Sequence, residues 1–299
     1  MSTNLKIRAS DLPDGRASSM DFLDSSFFQN DRGQCLPTPA EVFALSGDGP
    51  RESRPPPVIF EHLNLLVKFG RYVKIAEAQC LWIIKNDLGD EVPVPEIYGW
   101  RVDGDSVFIY MELIRGVTLK HQWDFMNESD KTSVCEQLKK IVSSLRSVEQ
   151  DPQDPFIGSL SRGHLSDIII ENQHPGGSFA IIEQFNDYFT SLPWLPFTLP
   201  ENFKDPWREH LPDDGSIKLT HGDLNRGNII ISPTTPLRVL AIIDWAHCGW
   251  FPDYWEYCKA AHMCSYEGEW LNEWIPTFLT PWVEVYRIFN EYTYVMGAF

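Results

Sequence analysis

The sequence predicts an α+β protein of two lobes: a small antiparallel sheet with one main helix, then a larger and mainly helical part. Three observations predict it. Apolar residues alternate with period two along Val58 to Phe69 and again on either side of Asp103-Gly104. Val134, Leu138, Ile141, Val142, Leu145 and Val148 recur at three-to-four spacing between Lys131 and Glu149. The change from one period to the other falls just after Arg115-Gly116. With 299 residues, the chain has room for about two units of ~150 residues each.

Residues 1–57 are polar and rich in turn signals (LPDG, NDRG, SGDGP, ESRPPP) and read as a loosely attached, partly irregular N-terminal extension. Only Pro37 to Leu45 suggests a short helix, begun by proline. The small lobe is expected over 58–116. Its first strand runs from Val58 to Phe69, with Leu63, Leu65, Val67 and Phe69 on one face and Lys68 on the other. A helix follows from Arg71 to Lys85, where Val73, Ala76, Cys80, Leu81 and Ile84 form a stripe and Glu77 lies among them. Prolines keep VPVPEIYGW extended, and Ile97–Val102 pairs with Ser106–Ile114 through the Asp-Gly turn. The helical lobe is expected over 117–299. It contains the Lys131–Glu149 helix, a second helix from Phe179 to Leu192, a proline-rich connection over 193–217 and aromatic-rich helices from Tyr254 to Asn290.

Composition excludes several functions. Lys and Arg number 25 against 42 Asp and Glu, a net charge of −17. That surplus repels phosphate backbones and anionic lipid heads, so neither nucleic acid nor a membrane is expected as a partner, while a cationic or metal-bound ligand would be attracted. The first residues show no apolar core of a signal peptide, and stretches such as Val239–Ile243 are far shorter than the ~20 residues that span a bilayer, so a soluble cytoplasmic protein is expected. The six cysteines form no CxxC pair and suggest no zinc site.

The chemistry concentrates in residues 219–245, LTHGDLNRGNIIISPTTPLRVLAIIDW. Two apolar runs, Ile229–Ser232 and Arg238–Ile243, joined by Pro-Thr-Thr-Pro, read as a β-hairpin. Antiparallel pairing sets the residue before the first strand beside the residue after the second, so Asn228 and Asp244 converge although distant in sequence, with Asp223 upstream in the same loop. Two carboxylates and an amide oxygen at one end of a hairpin suit Mg²⁺, a hard ion usually held by one or two protein oxygens and substrate phosphates. Phosphoryl transfer requires little else: neutralised phosphate charge and an aligned hydroxyl.

His221-Gly222-Asp223 with Asn228, then Ile242-Ile243-Asp244-Trp245, resembles the catalytic and metal motifs of the aminoglycoside phosphotransferase and choline-kinase-like family, small-molecule relatives of protein kinases. The resemblance extends over about Pro57 to Asn290, through Val67-Lys68-Phe69-Gly70, Glu77-Ala78, Met111-Glu112 and Gly116-Val117-Thr118-Leu119. The ending Gly249-Trp250-Phe251-Pro252-Asp253-Tyr254-Trp255-Glu256 is similar to that of fungal members. The resemblance implies a two-lobed protein-kinase-like fold and an ATP- and Mg²⁺-dependent phosphotransferase acting on a small-molecule hydroxyl, such as a secondary metabolite or an amino alcohol.

By position it implies Asp223 as the catalytic carboxylate, His221 as a brace of the same catalytic loop, and Asn228 and Asp244 on the metal. Lys68 would lie on the phosphates with Glu77 as its partner, and Met111, Glu112 and Ile114 at the adenine hinge. Aromatic residues including Trp250, Tyr254, Trp255 and Trp270 either box a cationic amine or form core. Two departures stand out: Leu45–Pro50, the candidate phosphate loop, leads into Arg51–Pro57 with three consecutive prolines, and Ala246 stands where the resembled pattern has Glu. They motivate the alternative of a kinase-shaped protein that binds a metabolite without phosphoryl transfer or catalyses other chemistry.

Overall fold

The computed structural model describes residues 5–30, 34–47, 55–171, 176–264 and 268–297. The small lobe is a five-stranded antiparallel sheet. Its elements are β1 (Ser19–Asp21), α1 (Ser26–Asn30), α2 (Pro39–Leu45), β2 (Val58–Phe60), β3 (Leu65–Gly70), α3 (Ile75–Leu88), β4 (Ile97–Asp103) and β5 (Ser106–Glu112). The strand order is β1-β4-β5-β3-β2. The run expected as one strand from Val58 to Phe69 is two. A helical turn at Glu61–Leu63 ends on Asn64 in the left-handed region, φ 51°, and reverses the chain so that Val58 pairs with Val67. Asn tolerates that conformation better than other side chains, a signal the continuing apolar alternation hid.

The first part of the chain corrects a second expectation. β1 pairs with β4, Ser19 opposite Arg101, and so forms an edge of the sheet. Phe27, Leu36 and Val42 are buried against Leu65, Val67, Phe69, Tyr98, Phe108 and Tyr110. Phe43 on α2 sets its ring edge against Phe69 and Phe108, with centroids 5.6 and 5.1 Å away. The described part of this segment is therefore structural. The apolar row of β3 faces it and would otherwise lie against water. The opposite face of β3 carries Lys68 towards α3. Of the candidate phosphate loop Leu45–Pro50, residues 48–50 lie outside the described residues, as do 51–54 of the segment it leads into.

The larger lobe starts with β6 (Val117–Thr118), α4 (Leu119–Gln122) and α5 (Glu128–Ser147), whose buried stripe includes Val134, Leu138, Ile141, Val142 and Leu145 as the spacing predicts. Asn127 caps α5 by accepting the Asp130 N–H at 2.9 Å. Next come β7 (Gly158–Ser159), α6 (Ile168–Glu171), α7 (Ile182–Ser191), β8 (Ile217–Thr220), β9 (Ile229–Ile231), β10 (Val239–Ile242) and β11 (Gly249–Pro252). The chain ends with α8 (Trp255–His262), a π-helical turn at Trp270–Trp274, α9 (Ile275–Phe278) and α10 (Val283–Val295).

β9 and β10 form the expected hairpin, and β6 joins it in a three-stranded sheet. Gly116 is required at this junction: a Cβ there would lie 2.5 Å from Ile230 Cγ2 and 2.6 Å from the Ile231 carbonyl oxygen. A further sheet, β7-β11-β8, contains the Gly249–Pro252 strand, which aromatic density in the sequence concealed. No helix among the described residues is long and apolar enough to cross a membrane.

Candidate active site

A cleft of about 690 Å³ opens between the lobes, lined by Lys68 from β3, Lys74 ahead of α3, Ser166 and Ile168, and Asp223 with Asp244. This volume lies within the ~300–1,000 Å³ usual for small-molecule sites. Lys68 Nζ donates to both Glu77 carboxylate oxygens, at 2.7 and 2.8 Å, and to Asp244 Oδ1 at 2.7 Å. Burial would pull the Lys68 pKa down, but the charges of Glu77 and Asp244 outweigh it and hold it above the ordinary value. Burial raises that of Glu77 against the opposing pull of Lys68. Burial acts upward on Asp244 too, yet Lys68 prevails and its carboxyl is held low. Asp244 therefore stays anionic and closes the hairpin against the small lobe.

Backbone geometry aims these groups. The Ile243 N–H donates to the Asn228 carbonyl at 2.9 Å, extending the β9–β10 pairing by one residue and setting Asn228 and Asp244 at the same hairpin end. Asp244 adopts a left-handed backbone, φ 63° and ψ 62°, which turns its carboxylate out of the strand into the cleft. For a residue other than glycine that conformation carries strain of about 1–3 kcal/mol, which such sites commonly contain. Gly222 has φ 80°, and a Cβ on it would meet the His247 carbonyl oxygen at 2.8 Å.

The loop around Asp223 is held by a closed set of hydrogen bonds. Asn225 Nδ2 donates to Asp223 Oδ1 at 2.9 Å, and Asn228 Nδ2 to Asp223 Oδ2 at 2.7 Å. Asn228 thus directs its nitrogen to Asp223 and Asp244 its oxygen to Lys68; the two share a hairpin end but bond to different partners. His221 is fully buried. Its Nδ1 accepts the Asp223 N–H at 3.1 Å and its Nε2 lies 3.0 Å from the Ile243 carbonyl oxygen, which can only accept, so the bonding assigns the proton to Nε2. Both ring nitrogens are engaged with backbone, the geometry of a brace.

Glu256 was quoted in the sequence without a role. It is 1% exposed, and its carboxylate accepts the N–H groups of His221 at 2.6 Å and Gly222 at 3.1 Å. A lone carboxylate in the aromatic run Tyr254–Tyr257 signals a partnered buried charge, because an unpartnered one is costly. A second buried ion pair was equally unread: Lys259 Nζ lies 2.9 Å from Asp167 Oδ1, with both side chains inaccessible. Trp255 Nε1 and the Ile169 N–H add bonds to Asp167 at 3.1 and 3.0 Å. Burial also pushes the His247 imidazole, on the cleft wall, below its ordinary value.

The remaining candidates lie elsewhere. Met111 is buried at the end of β5; the Glu112 N–H is bonded to Glu96 O and the Leu113 N–H to Asn64 O, so Ile114 is the next residue along this segment. None of them lines the cleft described above. Trp250, Tyr254, Trp255 and Trp270 are only 1, 1, 0 and 4% exposed and do not line it either. They are core, which corrects the amine-box expectation; large aromatic side chains gain most from full burial. Among the described residues no three His, Cys, Asp or Glu side chains gather as a metal-binding cluster. Asp244 lines the cleft and Asn228 lies at the same hairpin end, so a carboxylate and an amide supply a pair of hard-oxygen donors, the number that Mg²⁺ usually takes from protein.

The sequence profile of a family described as the phosphotransferase enzyme family matches residues 75–288, well over half of the chain. Among solved structures, the chain is similar to an aminoglycoside-3'-phosphotransferase of type VIII at 16% identity, covering 79% of this chain and 85% of that one with a TM-score of 0.48. The aminoglycoside phosphotransferase APH(4)-Ia matches at 14% identity over 78% of this chain and 76% of its own, with a TM-score of 0.49. A streptomycin-ATP-APH(2")-IIa ternary complex matches at 16% identity over 80% and 76%, with a TM-score of 0.46. No curated protein sequence matches the chain.

Proposed function

The chain belongs to the phosphotransferase enzyme family, and on that premise we propose that it transfers the γ-phosphoryl group of ATP to a hydroxyl of a small molecule, with Mg²⁺. The observation that carries this reading is Lys68 bonded at once to Glu77 and Asp244 in a cleft that Asp223 also lines. Asp244 and Asn228 are the residues that would hold the ion. When bound, Mg²⁺ supplies neutralisation of the charge on the transferring phosphate.

The chain's own groups do the rest. Asp223, fixed by Asn225 and Asn228 through its two oxygens, orients the acceptor hydroxyl and takes its proton as the oxygen attacks phosphorus. Glu77 holds the Lys68 ammonium in the cleft for the non-transferring phosphates. The resemblance would put adenine at Glu112 to Ile114, where the Glu112 and Leu113 N–H groups are already bonded to Glu96 and Asn64, so an N–H contact to the base would fall to Ile114. His221 and Glu256 keep the loop rigid, so that positioning, the main demand of this chemistry, is built in before substrate arrives.

Calorimetry with Mg-ATP and an ADP-release assay test the reading. The protein should bind Mg-ATP and turn it over, and Asp223→Asn should cut turnover about 10²–10⁴-fold while binding persists. Absence of both binding and turnover, or turnover indifferent to Asp223→Asn, overturns it. Ala246 favours a second reading, since it puts a methyl where the resembled pattern has a carboxylate: binding without transfer. Mg-ATP binding with no turnover selects that one.

A further inference from the structure

We infer that Arg226 is a positioning residue, which seats its guanidinium against Trp123 and Trp270 and so keeps Asp223 aimed. The inference deepens the proposed phosphotransfer and rests on it, since Asp223 is the group that would meet the acceptor. Arg226 lies between the two asparagines that fix that carboxylate, Asn225 on Oδ1 and Asn228 on Oδ2. The Gly227 N–H donates to Asn225 Oδ1 at 2.7 Å and the Asn228 N–H to the Asn225 carbonyl at 3.0 Å, so these residues form one turn. Its ends are tied to the rest of the lobe, Asp223 through His221 and Asn228 through Ile243. Its middle is tied through Arg226.

Two contacts of Arg226 reach outside the turn. Its carbonyl accepts the Lys120 N–H of α4 at 2.8 Å. Its guanidinium lies 5.6 Å from the centroids of both Trp123 and Trp270. Those rings meet at 82° with centroids 4.8 Å apart, a corner in which one cation reaches both. β6, just ahead of α4, pairs with β9 of the hairpin, Thr118 opposite Ile230, so the anchor and Asn228 belong to one frame.

The corner is itself held in place. Trp123 and Trp270 are buried, and Trp274, from the same π-helical turn as Trp270, stands at 83° to Trp123. Lys131 Nζ lies 5.1 Å from the Trp123 centroid and donates to Glu269 at 2.9 Å. Trp270 Nε1 is buried without a hydrogen-bond partner among the described residues, so ring contacts and the cation place that indole, and its N–H does not. Attraction between a cation and a ring face strengthens where water is excluded. The cation beside Trp270 is thus the chain's own guanidinium.

Arg226→Met keeps a long side chain and removes the charge, and Arg226→Lys restores the charge without the planar fork. Amide hydrogen exchange on the full chain without nucleotide reads the anchor by itself. In Arg226→Met the Asn225, Gly227 and Asn228 amides should exchange at least about tenfold faster while those of α5 stay unchanged, and Arg226→Lys should recover part of the protection. In Mg-ATP turnover, kcat should fall about 10–10²-fold in Arg226→Met while the KM for Mg-ATP moves less than about twofold. Loop amides that do not change, a rise shared by α5, no recovery in Arg226→Lys, or a loosened loop with kcat unmoved overturns the inference. A wild-type chain without turnover overturns the phosphotransfer reading instead, and exchange alone then decides whether Arg226 holds the loop.

Discussion

Two lysine–carboxylate clusters flank the cleft, and they differ in one physical respect, access to water. Lys259 and Asp167 are 1 and 0% exposed, with a Trp255 N–H completing the bonding. Lys68 and Asp244 are 30 and 43% exposed, and only Glu77 on their far side is sealed. The first pair cannot exchange partners without exposing a bare charge to a low-dielectric interior, so it acts as a fastener between α8 and the cleft wall. The second can be re-solvated cheaply, so its groups are available to phosphate and metal. Identical residue types thus form a structural fastener in one place and, under the proposed function, take a chemical role in the other, according to burial.

Breaking the sealed pair is the largest expected effect on stability. Lys259→Ala leaves Asp167 buried and unpaired and should cost about 3–5 kcal/mol in chemical denaturation. A loss below about 1 kcal/mol would erase the distinction between the clusters. At the open pair the effects should separate: Asp244→Asn should change stability by less than about 1 kcal/mol, while Mg-ATP turnover falls about 10²–10³-fold. Comparable losses in both measurements would make Asp244 structural.

The smallest effect concerns acid. Asp167 is pushed up by burial but pulled further down by Lys259 and His247, so its folded pKa lies below the ordinary 3.8. Its contribution to stability is therefore complete above that value and lost as pH falls through the lower folded value. Unfolding free energy measured from pH 5 downwards should decline, and Asp167→Asn should remove its share of the slope. An unchanged slope in Asp167→Asn would mean that Lys259 does not hold the proton off.

Periodicity made much of the fold legible. The α5 stripe, the β4–β5 hairpin and the β9–β10 hairpin all follow from residue spacing because their contacts are local. The break at Asn64 was missed because alternation describes side-chain facing and not chain reversal. The covering role of α2 was missed because a segment's docking depends on an apolar face supplied by β3, outside its own window. Glu256 and the Lys259–Asp167 pair were missed for the same reason: a partner 34 or 92 residues away leaves no periodic trace.

The amino-acid order alone determined that Asp223, Asn228 and Asp244, the groups of the proposed chemistry, come together, since one short hairpin whose pairing rules are local ties them. The tertiary structure alone decided which charges face the cleft and which are sealed behind it, and that the tryptophans are core and not a cage. Side-chain exposure and charge partnership are sums over elements brought together by folding, and no single stretch of sequence contains them.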